Sequence, residues 1–477
     1  MNRALLIFIA ALFVGAAVLW ASWFIPDGPL RYLAVIGAAA TAYMALNVGA
    51  NDVANNVGPA VGAKAITMGS ALALAAVFEI CGALFAGNEV ITTVSGDLLT
   101  LGHGFADRTM MLAMTSALLA AALWINISTL FGAPVSTTHA IVGGIVGAFA
   151  AAAGPSAIAW PIVGTIAVTW TLSPILGGIL AAAIHAIIRK LITRRIDKIG
   201  AARLWVPLLV AAMAGLFAAY LSTKLHPQGW RPDFYTVAAI SLATAALGWI
   251  LAMPWVRMNS LTMENRKKQI GRLFRPPLVV AAALLSFAHG SNDVANAIGP
   301  FAAILSAIGA APGPVAGGVA PLWTLAIGAF GIACGLSLFG PRVIHTIGEQ
   351  ITKLNEIRAF CVALSAAGTV LLASAFGLPV SSTHVAVGAV FGVGFLREYL
   401  AMRNMQGAAA GNARFLDPAS LNATPEEAIA RERRHDRRYL VRRLKVARIA
   451  AAWVITLPAA TAMGALFYWL ASSVISL

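Results

Sequence analysis

Two short stretches of this 477-residue chain each place an acid inside an otherwise apolar run, and they share one pattern. The first reads GANDVANNVGP from Gly49 to Pro59, and the second reads GSNDVANAIGP from Gly290 to Pro300. A charged side chain at the centre of a membrane span costs about 3 kcal/mol or more. We therefore expect Asp52 and Asp293 to face a polar cavity, a bound cation or a proton.

The polar residues of these stretches predict a cation site. Asn and Asp interrupt the apolar pattern in both copies, and Gly49 with the Gly58–Pro59 pair favours a helix break at which side-chain oxygens converge. Carboxylate and amide oxygens suit Na⁺, and a carboxylate equally binds H⁺, so the pattern leaves both ions open, with Na⁺ placed at Asp52 and Asp293. The predicted coupling-ion residues are Asn51, Asp52, Asn292 and Asp293. A set of polar clamps between helices is the alternative.

A second motif is also duplicated, as PVSTTHAIVGGIVG from Pro134 to Gly147 and PVSSTHVAVGAVFG from Pro379 to Gly392. Pro is favoured in a first helical turn and Ser is a good cap, so we expect helices to begin near Ser136 and Ser381. A helix start binds a tetrahedral oxyanion without any Lys or Arg. Ordinary capped helix starts are the alternative. The predicted substrate-binding residues are Ser136, Thr137, Thr138, Ser381, Ser382 and Thr383, with Asn55 and Asn296.

Three further titratable residues lie in apolar runs. Glu79 has no acidic counterpart in the second half, while His139 and His384 end the two PVS motifs. Each could take part in ion coupling or could make a polar packing contact between helices, and the sequence leaves both roles open.

The two copies of the signature differ at one position, where Asn56 of the first copy is replaced by Ala297 in the second. We therefore expect the two halves to bind unequally.

Composition places these motifs in a membrane. The chain is 60% hydrophobic and 11% charged, with a mean hydropathy of +0.83, which excludes a soluble globule of this length. The apolar runs predict an all-α polytopic membrane protein with two inverted-topology repeats. About 12 transmembrane segments, an extra N-terminal span, and broken or re-entrant helices at the centre are expected. The predicted location is the plasma membrane, which is the inner membrane in a bacterium.

The net charge of +15 is concentrated in three segments, and this placement predicts topology rather than nucleic-acid binding. Arg189 to Arg203, Arg257 to Arg275 and Arg397 to Arg448 hold 24 of the 33 Lys and Arg residues. If these segments are cytoplasmic, the two Asp motifs enter the membrane from opposite sides, and the repeats are inverted. The predicted divisions are an extra span at 1–30, a first repeat at 31–190, two linking helices at 191–277, a second repeat at 278–396, a basic cytoplasmic loop at 397–448 and a C-terminal span at 449–477.

The chain resembles the PiT family of inorganic phosphate transporters, whose hallmark is a duplicated G-x-N-D-[VT]-A-N signature in inverted halves. GANDVANN, GSNDVANA and both PVS motifs carry the resemblance, together with the pair GNEVITTVSG at 87–96 and GPRVIHTIGE at 340–349. The resemblance implies phosphate carried with Na⁺ or H⁺ through about twelve spans, often in a homodimer. It assigns ion and substrate contacts to Asn51, Asp52, Asn55, Ser136, Thr137 and Thr138, and to Asn292, Asp293, Asn296, Ser381, Ser382 and Thr383.

These motifs favour a symporter that works by alternating access and needs no cofactor. A phosphate anion beside two carboxylates would be repelled unless cations or protons entered with it. The partners expected are inorganic phosphate, Na⁺ or H⁺ and the bilayer, without nucleic acid. A sulfate permease of the same fold is the nearest alternative, followed by a phosphate-binding sensor and a passive anion channel. An enzyme is disfavoured because no HExxH or GxSxG context accompanies the motifs.

Overall fold

The computed structural model describes residues 3–100, 105–131, 135–224, 232–310, 320–348, 354–409 and 443–475. In these ranges the chain is almost entirely helical, and its one extended pairing is an isolated antiparallel bridge between Leu99 and Ile158. Twelve helical segments of the described chain are long and apolar enough to cross a membrane, and Thr137–Ala153 is apolar but shorter. The predicted all-α polytopic fold is confirmed.

The helices are numbered here in chain order. The first half holds α1 (Arg3–Phe24), α2 (Arg31–Asn56), α3 (Gly58–Gly62), α4 (Met68–Ala86), α5 (Asn88–Thr92), α6 (Asp107–Leu130), α7 (Thr137–Ala153) and α8 (Trp160–Ile188). The linking pair is α9 (Lys198–Lys224) and α10 (Phe234–Ser260). The second half holds α11 (Lys267–Gly271), α12 (Arg275–Asp293), α13 (Ala295–Ala307), α14 (Leu322–Gly348), α15 (Glu356–Ala375), α16 (Ser382–Ala409) and α17 (Arg443–Ile475).

The two halves interlock by exchanging helix pairs. Helix α2 packs against α14, and its counterpart α12 packs against α4. In the same way α7 packs against α17, and α16 packs against α8. Within each half, α2 contacts α6 and α12 contacts α15. Each half therefore completes its core with helices of the other, as expected for two inverted repeats around one centre.

The glycine that opens each signature permits a close helix crossing. A Cβ on Gly49 would lie 2.0 Å from the backbone oxygen of Ile332 in α14. A Cβ on Gly290 would lie 2.2 Å from the backbone oxygen of Glu79 in α4. Both separations are far below van der Waals contact, so only glycine fits. These crossings hold α2 and α12 at the centre of the molecule.

The helix breaks differ in position from the prediction. In the first copy the helix continues through Asp52 and Asn56, and the break follows at Val57, before Gly58 and Pro59 begin α3. Gly49 therefore does not supply the break as predicted. In the second copy α12 ends at Asp293 and α13 begins at Ala295, so that break lies inside the signature. The difference arises because the polar side chains of α2 find partners in neighbouring helices and need no local unwinding.

The PVS motifs begin helices as predicted. Ser136 has an extended backbone, and its hydroxyl accepts a hydrogen bond from the His139 backbone N–H at 3.1 Å, which caps α7. The Ser381 hydroxyl accepts from the His384 N–H at 3.2 Å at the start of α16. Both helices thus have capped N-termini directed at the same region. Pro134 lies outside the described residues.

Two predicted peripheral segments are described only in part. Helix α1 lies within residues 1–30, for which an extra N-terminal span was predicted, and it packs against α2 and α14. Helix α16 extends to Ala409 and α17 begins at Arg443, so both ends of the predicted basic loop 397–448 are helical. Residues 410–442 lie outside the described ranges, as do residues 225–231 between the two predicted linking helices.

Candidate functional site

The four repeated motifs meet at one buried centre. The end of α2 and the α12–α13 break face the starts of α7 and α16. All twelve residues carried over from the family resemblance are buried. They are Asn51, Asp52, Asn55, Ser136, Thr137 and Thr138 from the first half, and Asn292, Asp293, Asn296, Ser381, Ser382 and Thr383 from the second.

Asp52 collects hydrogen-bond donors from both halves. Its Oδ1 accepts from Asn51 Nδ2 at 2.8 Å, from Asn55 Nδ2 at 3.2 Å and from Thr383 Oγ1 at 2.7 Å. Its Oδ2 accepts from Thr137 Oγ1 at 3.1 Å. Both oxygens of the first aspartate therefore have hydrogen-bond donors, and these come from both repeats.

Asp293 has fewer donors and shares one of them with Asp52. Its Oδ2 lies 3.2 Å from Thr137 Oγ1 and 3.2 Å from Ser382 Oγ, while its buried Oδ1 has no hydrogen-bond partner. A hydroxyl carries a single hydrogen, so Thr137 can donate to only one aspartate at a time. The Thr137 hydroxyl therefore bridges two carboxylates that differ in how well they are satisfied.

The signature asparagines tie each repeat to the other. Asn55 Nδ2 donates to Thr383 Oγ1 at 2.8 Å, and Asn296 Nδ2 lies 3.3 Å from Thr137 Oγ1 and 3.4 Å from Thr138 Oγ1. Thr138 Oγ1 in turn donates to the backbone oxygen of Val380 at 3.1 Å. Each signature thus contacts the PVS motif of the opposite half, and the predicted ion and anion positions adjoin.

Asn51 and Asn292 anchor the segments that precede the two helix starts. Asn51 Nδ2 donates to the Val135 oxygen at 2.9 Å. Asn292 Nδ2 lies 3.3 Å from the Leu378 oxygen and 3.1 Å from Ser374 Oγ. The Asn292 Oδ1 has no partner although it is buried. Both amide nitrogens are therefore engaged, which leaves an unpartnered oxygen ligand at Asn292.

One residue at the centre was not anticipated from the sequence. His289 is fully buried, and its Nε2 lies 3.2 Å from Asp293 Oδ2 and 3.6 Å from Asp52 Oδ2. These are ion-pair distances, although neither ring nitrogen makes an aligned hydrogen bond. The first repeat has Val48 at the matching position, so a search for duplicated polar residues passes over His289. Its spacing of four residues before Asp293, on one helix face, was the available signal.

Glu79 joins this centre through His289. Its Oε2 lies 3.2 Å from His289 Nδ1, and its Oε1 accepts from Asn56 Nδ2 at 2.8 Å. Asp52, Glu79 and Asp293 all pair with His289, and the ion pairs of the described residues give these acids no other basic partner. Three buried carboxylates beside a single imidazole are a setting that a bound cation or protons would stabilise.

The two motif histidines make aromatic contacts instead. The His139 ring lies 3.8 Å from the Trp170 ring, and the His384 ring lies 3.8 Å from the Trp453 ring, measured between centroids. The two imidazoles are 4.7 Å apart. These contacts favour the packing role left open by the sequence, and they bring the starts of α7 and α16 against each other. The sequence left the roles of Glu79, His139 and His384 open. Among the contacts described here, only those of Glu79 lead to the two aspartates, through His289.

The arrangement can hold a cation and an anion side by side. The carboxylates of Asp52 and Asp293 provide hard oxygen ligands, and Asn292 of the second signature has a buried oxygen without a partner. The first-turn N–H groups of α7 and α16 that the Ser136 and Ser381 caps leave free, together with the positive end of each helix dipole, suit an oxyanion. The hydroxyls of Thr137, Ser382 and Thr383 lie between these two regions and now donate to the acids.

Comparison with known proteins gives a consistent result. A model of the phosphate transporter family matches residues 48–464. A protein of Helicobacter pylori that is provisionally named a phosphate permease is 48% identical over 394 residues, which are 82% of this chain and 74% of that protein. Inorganic phosphate transporter 2-1 of Arabidopsis thaliana, a chloroplast protein, is 34% identical over 463 residues, 91% of this chain and 71% of its own length.

A solved structure named the sodium-dependent phosphate transporter has the same fold. It superposes with a TM-score of 0.79 at 29% identity, covering 93% of this chain and 100% of its own. The region matched by the family model includes both signatures and both PVS motifs. The resemblance drawn from those motifs is confirmed, as is the prediction of a multi-pass membrane transporter rather than an enzyme. The chain belongs to the phosphate transporter family.

Proposed function

We propose that this chain is a cation-coupled inorganic phosphate symporter that works by alternating access. The observation that carries the proposal is the placement of two buried aspartates, bridged by the Thr137 hydroxyl, against two capped helix starts. Phosphate binds at those helix starts. The coupling cation binds at Asp52 and Asp293, with oxygens of Asn51 and Asn292. The relative named as sodium-dependent supports Na⁺, and H⁺ is the other candidate.

The hydroxyls suggest how cation and anion binding are linked. Thr137, Ser382 and Thr383 donate to Asp52 or Asp293 in this structure. A cation that neutralises the carboxylates weakens their demand for these donors. The hydroxyls then turn toward phosphate oxygens, together with Asn55, Asn296, Ser136, Thr138 and Ser381 around the helix starts. Cation binding therefore precedes tight phosphate binding, and the anion never meets two bare carboxylates.

Alternating access fits the interlocked repeats. The site lies where helices of both halves meet, and each half supplies one aspartate and one helix start. In transporters built from inverted repeats, one bundle rocks against the other around a central site. Here the exchanged pairs, α2 with α14 and α4 with α12, can move as units because glycine crossings hold each pair together.

The deciding experiment is uptake of labelled phosphate by proteoliposomes under separately imposed Na⁺ and pH gradients. Sulfate, arsenate and chloride serve as competitors. We expect one of the two gradients to drive uptake. Arsenate should compete and sulfate should compete little, because phosphate near neutral pH carries an O–H group that can donate to an ionised Asp, whereas sulfate carries none. Stronger uptake of sulfate would point to a sulfate permease. Phosphate binding without uptake would point to a sensor, and uptake insensitive to both gradients to a channel.

A further inference from the structure

Three side chains at the centre form a ligand set that the transport proposal leaves unused. Asp52, His289 and Asp293 each offer one ligand atom, and these atoms all lie within 4.8 Å of one another. All three side chains are at least 99% buried, with exposures of 1%, 0% and 0%. The His289 Nε2 and the Asp293 Oδ1 have no hydrogen-bond partner, so an ion that binds here breaks no hydrogen bond at either atom and displaces any proton on Nε2.

Two of the three separations between these atoms match the coordination shell of a small divalent ion. Bonds of about 2.0–2.2 Å from a tetrahedral ion to nitrogen and oxygen separate the ligand atoms by about 3.3–3.5 Å. The two separations measured from His289 Nε2 are 3.2 Å to Asp293 Oδ2 and 3.6 Å to Asp52 Oδ2. Small side-chain adjustments would place all three atoms at bonding distance, with a fourth position left for water or an anion oxygen.

Glu79 adds the outer contact that metal-binding histidines have. Such a histidine commonly gives its second ring N–H to a carboxylate, which fixes the tautomer and raises the basicity of the ligating nitrogen. Here the Glu79 Oε2 lies 3.2 Å from His289 Nδ1, on the side of the ring away from the aspartates. Asn56 holds that carboxylate through its other oxygen at 2.8 Å.

An imidazole selects against the coupling ions considered above. Na⁺ and H⁺ need only the oxygens of the site, whereas imidazole is a ligand preferred by transition ions such as Zn²⁺, Co²⁺ and Ni²⁺. The first repeat, with Val48 at this position, provides no second set of this kind. The nitrogen ligand therefore gives one half a selectivity that its inverted mate does not have.

We propose that Asp52, His289 and Asp293 form a binding site for a divalent transition ion, with Glu79 positioning the imidazole. The ion takes the place of the coupling cation on the two aspartates, so that it blocks phosphate uptake. This inference rests on the proposed function only for that blocking effect. Binding itself depends on the three side chains alone.

The test is titration of the purified, chelator-washed full chain with Co²⁺, followed by its visible absorption. We expect one Co²⁺ per chain with the spectrum of a four- or five-coordinate ion, and Zn²⁺ should displace it. H289V, which copies Val48, and H289Q should each weaken Co²⁺ binding by about tenfold or more, because loss of a ligand should cost at least the 10–100-fold seen for outer contacts. H185Q is the matched control, since His185 lies away from the acids beside Cys361, and it should bind as wild type does.

Two measurements on one preparation separate this inference from the transport proposal. Gradient-driven phosphate uptake by a wild-type chain that binds no Co²⁺ would overturn the metal site alone. Co²⁺ binding by a folded chain without any uptake would overturn the transport proposal alone. Equal Co²⁺ affinity in wild type and in a folded H289V or H289Q would also overturn the site. Uptake unchanged when Co²⁺ or Zn²⁺ saturates the wild type would overturn the blocking effect.

Discussion

The two aspartates at the centre are related by the repeat but differ in their surroundings. Asp52 accepts from two amide nitrogens and two hydroxyls, whereas Asp293 has two hydroxyl contacts and an unpartnered oxygen. An acid with an unsatisfied oxygen gains more from a cation than an acid already surrounded by donors. For the proposed symporter we therefore expect the coupling cation to gain most at Asp293.

We expect D52N and D293N each to reduce phosphate uptake about tenfold or more, since even outer contacts to a bound ion are worth that much. An amide cannot neutralise a cation, and its NH₂ group faces existing donors at Asp52. Uptake in proteoliposomes measures the loss, and size-exclusion chromatography checks the fold. D107N, at an exposed acid, is the control and should transport normally. Normal uptake by a folded D52N or D293N would refute the cation site.

Residue types and spacing identified most of this centre because duplication made them visible. All twelve predicted signature and PVS residues are buried at one place. His289 was missed because its partner in the other repeat is Val48, and a search for repeated polar residues discards single ones. Its contacts with Glu79 and Asp52 join residues far apart in sequence, which spacing alone does not reveal.

At the scale of helices, the crossings explain glycines that sequence reasoning assigned to a break. Gly49 lies inside a continuous α2, and the break comes at Val57. A pattern of Gly, Asn and Pro indicates that a helix ends nearby, but the exact residue depends on tertiary partners for the polar side chains. Those partners, such as Glu79 for Asn56, come from other helices. The PVS starts were predictable because a capping hydroxyl acts within one turn.

We expect G49A and G290A to destabilise the fold, because each new Cβ would meet a backbone oxygen at 2.0 or 2.2 Å and force α2 from α14 or α12 from α4. Overpacking of this kind costs about 1–3 kcal/mol. The measurement is the thermal unfolding midpoint of the purified protein. G58A is the matched control in the same signature, since nothing lies within 4 Å of its Cβ position. A midpoint for G49A as high as that of G58A would contradict the crossing.

Removal of the caps should weaken phosphate binding. S136A and S381A each delete the hydroxyl that accepts from the backbone of His139 or His384. Loss of an N-cap costs about 0.5–2 kcal/mol, and the disordered helix start would no longer present its N–H groups. We expect the KM for phosphate to rise several-fold, up to about tenfold. S136T and S381T keep a capping hydroxyl and should restore most of the affinity, whereas an unchanged KM in both alanine variants would argue against the helix-end site.

At the scale of the whole molecule, the exchanged helix pairs make the binding site a property of both halves. Asn55 of one half contacts Thr383 of the other, and Asn296 contacts Thr137 and Thr138 in the reverse direction. Any motion of one half against the other must therefore pass through these contacts. A ligand that bridges the halves would bias this motion, and this is how the proposed symporter would couple cation and phosphate.

Cation and phosphate should raise each other's affinity by the same factor. Linkage requires this reciprocity for equilibrium binding, and couplings of about 5–150-fold are typical. The structure gives a reason for a positive sign, because Thr137, Ser382 and Thr383 donate to the carboxylates and a cation bound there would release them. The measurement is the binding of labelled phosphate to the purified chain, first with and without Na⁺ at fixed pH and then at several pH values without Na⁺. The two series give the coupling factor and identify the ion. In the double variant D52N/D293N the hydroxyls no longer face charged acids, so phosphate binding should become independent of both ions. A coupling factor that persisted in the double variant would place the cation elsewhere in the molecule.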